Sequence, residues 1–205
     1  MNLLKKITDV EDENSIATKV RQGNFKLFKD LVLSFNRKVK ILDIGGTQNY
    51  WEMMDYTDPN LIQVTLINID DKKVTLPNFA AIKMNALDLN IFKFDCDIIF
   101  SHSLIEHIDH EKFAEIVVRS EKPYFIQTPN KYFPMEPHFL IPLLQFLPLQ
   151  LKFWLVRKYR KELESEVKSI NLLSKEKLKN LFPNAEIYGG KILGMTQSFI
   201  VIKKE

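Results

Sequence analysis

The sequence has few cysteines and lacks a long apolar run. Its 205 residues contain one cysteine, Cys96, which rules out an internal disulfide and a zinc site built from several cysteines. The residues after Cys96 are apolar, so we expect a buried, inert thiol and not a nucleophile. No uncharged apolar run reaches the roughly 20 residues of a membrane-spanning helix. The first residues also lack the apolar core and cleavage site of a signal peptide, so we expect a cytoplasmic protein.

The sequence also lacks a strong excess of one charge. Its net charge is +3, with 45% hydrophobic and 27% charged residues. This charge is too small and too dispersed to indicate a nucleic acid as partner, and the composition is that of an ordinary globular protein. No internal repeat and no linker rich in Gly, Ser or Pro divides the chain. We therefore expect a single domain over residues 1–205.

One stretch near the start organises the rest of the chain. Residues 39–44 are largely apolar and predict a buried strand. Gly45 and Gly46 follow, where the backbone must turn sharply and a ligand can approach closely. Such a corner binds nucleotides in open α/β sheets, although an ordinary strand with a glycine turn is an alternative. Thr47 and Asn49 stand where further glycines would be needed to bind a dinucleotide pyrophosphate, so we exclude that ligand class.

Predicted strands and helices alternate along the chain. Strands are predicted at residues 39–44, 61–69, 80–84, 97–101 and 124–127, with two closing strands at 185–192 and 195–202. Helices are predicted at residues 14–36, 50–55, 111–120 and 175–182. This alternation is typical of parallel βαβ units, whose ligands bind at the carboxyl ends of the strands. The closing pair favours an antiparallel hairpin.

Polar residues follow nearly every predicted strand. They are Asp43 and Gly45, then Asp70, then Asn85, then Ser101 and His102, and finally residues 128–130. In a parallel sheet these positions meet at one rim. The carboxylate of Asp70 can accept hydrogen bonds from both hydroxyls of a ribose, although an acid can also simply cap the turn after a strand. We therefore predict a site for a nucleoside-containing ligand at this rim.

Four segments, taken in order, resemble a known family. They are residues 41–47 (ILDIGGT), Asp70 at its strand end, residues 85–89 (NALDL) and residues 94–107 (FDCDIIFSHSLIEH). Together they resemble the class I S-adenosylmethionine-dependent methyltransferases of the methyltransferase domain 11 type, over roughly residues 35–130. The resemblance implies a Rossmann-like, doubly wound, mostly parallel seven-stranded α/β sheet with an antiparallel closing strand. It also implies S-adenosyl-L-methionine as the cofactor and methyl transfer as the activity.

The resemblance also implies which residues bind the cofactor. They are Asp43, Gly45 and Gly46 at its methionine end, Asp70 at the ribose, Asn85 and Ala86 at the adenine, and Ser101 and His102 facing the methionine moiety and the substrate. The chain departs from the family at Thr47 and Asn49, where further glycines are usual. It departs again at Asn85, where an acid is usual, but an amide oxygen can still accept from the adenine amine.

Three histidines are candidates for catalysis. His102, His107 and His138 fall near the predicted rim, whereas His110 starts a helix and is expected to be exposed. A neutral imidazole can take the proton of a hydroxyl group as its oxygen attacks the methyl group. His138 would reach the acceptor from the side of the insertion. For His107, a structural role beside Glu106 is the favoured alternative.

A metal site is a less favoured hypothesis. Some relatives that methylate RNA ends or quinone precursors bind a divalent ion through an E-x-x-E-H motif. Here Ser103 occupies the first position of that motif, which leaves Glu106, His107 and His138 as potential ligands. We therefore predict no metal.

One segment of the sequence indicates a broad class of methyl acceptor. Residues 127–139 (QTPNKYFPMEPHF) are similar to methyltransferases that act on glycans, lipids or quinones. We predict O-methylation of a glycan, a lipid-linked sugar or another small molecule. The alternative is a catalytically silent binding or assembly protein on the same fold.

Two segments lie outside the predicted sheet. We interpret residues 1–36 as an N-terminal helical cap and residues 131–170 as a helical lid inserted after the fifth strand. Residues 139–161 combine an apolar run with a basic cluster, which suits peripheral contact with a membrane. Burial of the same apolar run on the domain itself, or on a second subunit in a homodimer, is the alternative.

Overall fold

The computed structural model describes residues 16–135, 138–192 and 194–204. Within them, seven strands form one sheet: β1 Val39–Ile44, β2 Ile62–Asn68, β3 Phe79–Lys83, β4 Ile98–His102, β5 Tyr124–Pro129, β6 Glu186–Ile192 and β7 Met195–Lys203. The α-helices are α1 Ile16–Leu33, α2 Gln48–Met53, α3 His110–Arg119, α4 Leu149–Tyr159 and α5 Lys175–Leu181. None of the described helices is both long and apolar enough to cross a membrane.

The strands are arranged in the order β3-β2-β1-β4-β5-β7-β6. Strands β1 to β5 pair in parallel, and β7 runs antiparallel between β5 and β6. This confirms the predicted α/β class, with its mostly parallel seven-stranded sheet and its antiparallel closing strand. The order in which the strands are added to the sheet changes direction between β1 and β4. In such folds, ligands bind in the crevice that opens at this point, at the carboxyl ends of the strands.

Alternate residues of the central strands face opposite sides of the sheet, and both sides are covered. In β1, Leu42 and Ile44 join the apolar cluster that contains side chains of α3 and α5. Val39 and Ile41 join the cluster that contains side chains of α1 and α2. A strand buried on both faces reads as the near-continuous apolar run seen in the sequence. The sheet is therefore doubly wound, with its polar strand ends left at the rim.

Two predicted element bounds were wrong, and pairing with a distant strand explains the second. The helix predicted at residues 50–55 spans Gln48–Met53, and the strand predicted to stop at residue 127 continues to Pro129. The end of this strand pairs with β7, where Thr128 lies opposite Phe199. The strand therefore continues through Thr128 and Pro129, because pairing with a distant part of the chain outweighs the local tendency of the Thr-Pro-Asn sequence to end a strand.

His110 was expected to be exposed, and this prediction was wrong. Asp109 caps α3 by accepting from the backbone N–H of Lys112, so the helix begins at His110. The imidazole is only 7% exposed, and burial lowers its pKa. It faces the chain returning to α5, where the backbone of Asn171 lies beside it.

The insertion after β5 is helical, as predicted. It contains α4 and a 3-10 helix at Lys161–Lys168. Its buried apolar residues form a cluster separate from those of the sheet, with members Phe139, Leu144, Val156 and Val167. The insertion therefore has a small core of its own beside the carboxyl ends of the strands.

Candidate functional site

The turn after β1 depends on two glycines. Gly45 has a φ of +87°, a conformation that residues with a side chain rarely adopt. A Cβ atom added to Gly46 would lie 1.7 Å from a carboxylate oxygen of Asp43. The backbone of the turn therefore passes directly over the Asp43 side chain, which leaves the outer side of the turn open to a ligand.

Asp43 is fully buried beneath this turn. Its Oδ2 accepts a hydrogen bond of 2.8 Å from Nε1 of Trp51 in α2, and its Oδ1 has no partner among the described residues. Burial raises the pKa of Asp43 to about 7, and the Trp51 hydrogen bond opposes that shift. Asp43 thus fixes the turn against α2.

Asn68, at the end of β2, was missed by the sequence interpretation. Its Nδ2 donates to the carbonyl oxygens of Gly45 at 3.2 Å and Gly46 at 3.1 Å. Its Oδ1 accepts from the backbone N–H of Asp70 at 3.1 Å. Asn68 therefore ties the glycine turn to the predicted ribose acid. The signal for Asn68 in the sequence is a polar residue at the end of an apolar strand, and the same signal was assigned to Asp70 alone.

The other predicted cofactor residues differ in their exposure. The Asp70 side chain is 71% exposed and forms an ion pair of 3.1 Å with Lys72. Asn85 caps the 3-10 helix Ala86–Asp88 by accepting from the N–H of Leu87, and Ala86 is buried in the core. Ser101 is fully buried.

The hydroxyl of Ser101 donates to the carbonyl oxygen of Ile44 at 2.9 Å. This bond crosses between the ends of β4 and β1. Ser101 therefore holds the two strands together at the point where they diverge.

Two cavities adjoin at the carboxyl ends of the strands. The smaller, the corner cavity, has a volume of 120 Å³ and is lined by Asp43, Gly45, Gly46, Thr47, Tyr50, Phe100 and His102. The larger, the acceptor cleft, has a volume of 430 Å³ and is lined by Arg21, Asn24, Thr47, Asn49, Tyr50, Met53, His102, Ser103, Gln127, Thr128, Pro129, His138, Gln197 and Ser198. Thr47, Tyr50 and His102 line both cavities, so a group bound in one can contact a group bound in the other.

The structure brings only part of the predicted site into these cavities. Asp43, Gly45, Gly46 and His102 line the corner cavity, and His138 lines the acceptor cleft together with His102. The remaining predicted residues line neither of the two: Asp70, Asn85, Ala86, Ser101 and His107.

His102 forms the wall between the two cavities. Its ring lies against that of Tyr50, with 4.6 Å between the centroids. Burial, and secondarily the positive charge of Arg21, lower the pKa of His102 to about 3. The imidazole is therefore neutral throughout the physiological range, but a base of such low pKa takes protons weakly.

Glu106, His107 and His138 form a cluster beside the acceptor cleft. Glu106 is fully buried, and its Oε2 accepts a 2.9 Å hydrogen bond from Oγ1 of Thr128. Its Oε1 lies 3.9 Å from Nε2 of His138, whose ring meets that of His107 edge to face at 4.9 Å. Burial raises the pKa of Glu106 to about 7. The distance from Glu106 to His138 is too long for a hydrogen bond, so the buried carboxyl group acts on His138 through charge, when the imidazole is protonated.

The same three side chains have the composition of a metal site. Their potential ligand atoms lie within 4.8 Å of one another. One carboxylate and two imidazoles are ligands that several divalent cations accept. The geometry of the cluster is therefore compatible with a metal ion, although the sequence motif for such a site is incomplete.

Solved structures share this architecture, although no protein-family model and no curated protein matches the sequence. The plantazolicin methyltransferase BpumL, in complex with a monoazolic desmethylPZN analog and S-adenosylhomocysteine, superposes with a TM-score of 0.58 at 13% identity, over 91% of this chain and 84% of that one. The methyltransferase domain of bacterial CtHen1-CN gives 0.57 at 11%, over 89% and 98%. The chain has the fold of class I S-adenosylmethionine-dependent methyltransferases.

A third methyltransferase spans nearly the whole chain. Magnesium protoporphyrin IX methyltransferase of Synechocystis PCC 6803, with bound S-adenosylmethionine, superposes with a TM-score of 0.53 at 10% identity, over 99% of this chain and 85% of that one. At such identities the similarity establishes the fold, and the predicted seven-stranded methyltransferase architecture is confirmed.

Proposed function

We propose that this protein is an enzyme that transfers a methyl group from S-adenosylmethionine to a small-molecule acceptor. The observation that carries the proposal is the junction of the corner cavity with the acceptor cleft through Thr47, Tyr50 and His102. Methyl transfer requires the donor and the acceptor to lie in contact and in line, and two adjoining cavities provide that arrangement. Structural neighbours bind S-adenosylmethionine or S-adenosylhomocysteine on the same fold.

The residues at the rim fit this cofactor. Gly45 and Gly46 line the corner cavity with backbone alone, and this turn would admit the methionine end. Asp70 extends from the rim with one salt-bridge partner, Lys72, so its carboxylate can bind the ribose hydroxyls. Asn85 is exposed, and its side chain, with the backbone of the buried Ala86, would flank the adenine. When bound, the cofactor supplies an electrophilic methyl group on its sulfonium.

Ser101 takes a different role in this proposal from the one that the resemblance implied. Its hydroxyl already donates to the carbonyl oxygen of Ile44. We assign it to holding β1 against β4 and not to contact with the cofactor. His102 keeps its contact with both cavities, where its neutral ring packs against the reacting groups.

The assignment of Asp70 can be tested by replacing it with alanine. A hydrogen bond to a charged group contributes about 1.5–3 kcal/mol, so we expect D70A to bind S-adenosylhomocysteine about 10- to 100-fold more weakly in calorimetry. Asp71 is also exposed, and D71A is the matched control that should bind normally. Equal affinity of D70A and the unchanged protein would show that the ribose assignment is wrong.

An oxygen acceptor on a glycan, a lipid-linked sugar or a similar small molecule fits the cleft. Its polar, uncharged lining residues include Asn24, Gln127, Gln197 and Ser198. The Oε1 atom of Gln127 is buried and has no partner among the described residues, so it can accept from an acceptor hydroxyl. Removal of the proton from the attacking oxygen falls to His138, and the nearby carboxyl group of Glu106 would stabilise the imidazolium that forms.

We propose that one domain contributes all these parts, with two segments acting as walls. Arg21 and Asn24 reach the cleft from α1, within the predicted cap of residues 1–36, and His138 reaches it from the predicted lid of residues 131–170. Residues 1–15 of the cap lie outside the described residues. Both segments would close over the acceptor.

The insertion also exposes an apolar surface, for which we propose contact with an anionic membrane. Large apolar side chains are exposed along α4 and the segment before it: Leu143, Phe146, Leu149, Leu151, Trp154 and Tyr159. The ammonium group of Lys158 lies 5.1 Å from the centroid of the Trp154 ring. Aromatic side chains beside a basic group match the chemistry of an anionic lipid surface.

This membrane contact predicts a measurable loss on substitution. Burial of a large apolar side chain contributes about 1.5–3 kcal/mol, so the double variant W154S/F146S should bind phosphatidylserine vesicles at least about tenfold more weakly in cosedimentation. Phe92 is exposed elsewhere on the chain, and F92S should bind normally. If the unchanged protein does not bind vesicles and instead forms a dimer that W154S disrupts, the surface is a dimer interface and the membrane proposal is wrong.

A further inference from the structure

Arg21 places a positive charge beside the acceptor cleft. The side chain extends from α1 and lines that cleft but not the corner cavity. Burial lowers the pKa of its guanidinium. None of the ion pairs among the described residues includes Arg21. A largely buried cation without an acidic partner is costly, and a ligand of opposite charge removes that cost.

The surroundings of Arg21 favour an anion. None of the described residues that line the acceptor cleft is acidic. The hydroxyl of Tyr50 is buried and has no hydrogen-bond partner among the described residues. Burial raises the pKa of this phenol, while nearby Arg21 opposes the shift. Tyr50 therefore remains a donor, and the cleft presents a guanidinium and a hydroxyl for which the described part of the chain supplies no acceptor.

We propose that Arg21 and Tyr50 bind an oxyanion of the methyl acceptor, so that the substrate is an anionic small molecule. A guanidinium binds a carboxylate or a phosphate through two parallel hydrogen bonds, and the Tyr50 hydroxyl adds a third. This inference rests on the proposed function, because it names the class of acceptor for the same cleft. Among the proposed acceptors, it selects a glycan or a lipid-linked sugar that carries a carboxylate or a phosphate.

The experiment uses small probes, because the acceptor is unidentified. The protein is saturated with S-adenosylhomocysteine and titrated with phenyl phosphate, benzoate and uncharged benzamide at constant ionic strength, with binding followed by calorimetry. We expect at least one of the two anions to bind and benzamide to bind at least tenfold more weakly. A preference for phenyl phosphate or for benzoate tells phosphate from carboxylate acceptors. Equal binding of all three probes, or binding of none, overturns the proposal.

Substitutions locate the anion. R21Q should weaken the bound anion at least tenfold, R21K should restore part of the loss because it keeps the charge without the planar fork, and Y50F should weaken binding severalfold. Lys26 is an exposed cation on the same helix, and K26Q is the matched control that should bind normally. Equal losses in R21Q and K26Q indicate general electrostatics and overturn the proposal.

The affinity for S-adenosylhomocysteine separates this inference from the proposed function. We expect R21Q to keep that affinity within about twofold, since Arg21 lies outside the corner cavity. If R21Q loses it, or if S-adenosylhomocysteine displaces the anion, Arg21 binds the carboxylate of the cofactor and the inference is wrong. If the unchanged protein binds the anion but not S-adenosylhomocysteine, the proposed function fails while the anion site remains.

Discussion

Alanine at position 46 should abolish the binding of S-adenosylhomocysteine. The added Cβ atom would lie 1.7 Å from Oδ2 and 2.4 Å from Oδ1 of Asp43. Asp43 cannot move away easily, because it is fully buried and bonded to Trp51. The turn must therefore shift outward into the space that the methionine end would fill. A displacement of about 1 Å can lower a reaction rate roughly 100-fold, and we expect a loss of affinity of at least the same order in calorimetry.

Gly23 provides the matched control. A Cβ atom added there meets no atom within 4 Å, and the residue lies in α1. Alanine is favoured over glycine in a helix by roughly 1 kcal/mol, so G23A should bind normally and melt at a slightly higher temperature. Normal affinity in a folded G46A variant would mean that the glycine turn does not hold the cofactor. Circular dichroism and thermal melting establish that the variant is folded.

Replacing His138 with alanine should have the largest effect on the rate of methyl transfer. His138 lines the acceptor cleft and lies 3.9 Å from a buried carboxylate oxygen of Glu106. Loss of a positioned general base lowers rates by about 10²- to 10⁴-fold. The measurement is transfer of a labelled methyl group from S-adenosylmethionine to small molecules of a cell extract. Affinity for S-adenosylhomocysteine should stay within about twofold, since His138 does not line the corner cavity.

A second histidine and a chelator separate a base from a metal ligand. His110 is also buried but lines neither cavity, so H110A should keep its rate. If His138 acts as a base, a chelator leaves transfer by the unchanged protein intact. Loss of transfer with chelator, together with an equal loss in H107A, would instead make the Glu106 cluster a metal site. An H138A variant with a normal rate would contradict both roles.

The sheet could be predicted because its signals are local. The apolar run of β1 ends in two glycines, and each parallel strand leaves polar residues where it stops, so the pattern alone gave the rim and the order of elements. The glycines also fixed the position of the turn. Asp70 was predicted in the same way, because an acid after an apolar strand is visible without knowledge of the rest of the chain.

The missed parts of the site depend on contacts between distant residues. Trp51 bonds to Asp43 because α2 folds back over the turn, and its side chain looks like an ordinary apolar residue in the sequence. Arg21 lines the cleft only because α1 packs against the sheet, and amphipathic spacing gave no sign of this. The exposure of His110 was predicted wrongly, because the residue is buried by a segment some 60 residues further along the chain.

Calorimetric titration of the unchanged protein with S-adenosylmethionine and S-adenosylhomocysteine tests the proposed function most directly. A methyltransferase should bind each at one site per chain, in competition, with a dissociation constant between about 1 μM and 1 mM, the usual range for enzyme substrates. Saturating ligand should also raise the melting temperature. No heat and no change in melting temperature with either compound at about 1 mM would contradict the proposed function.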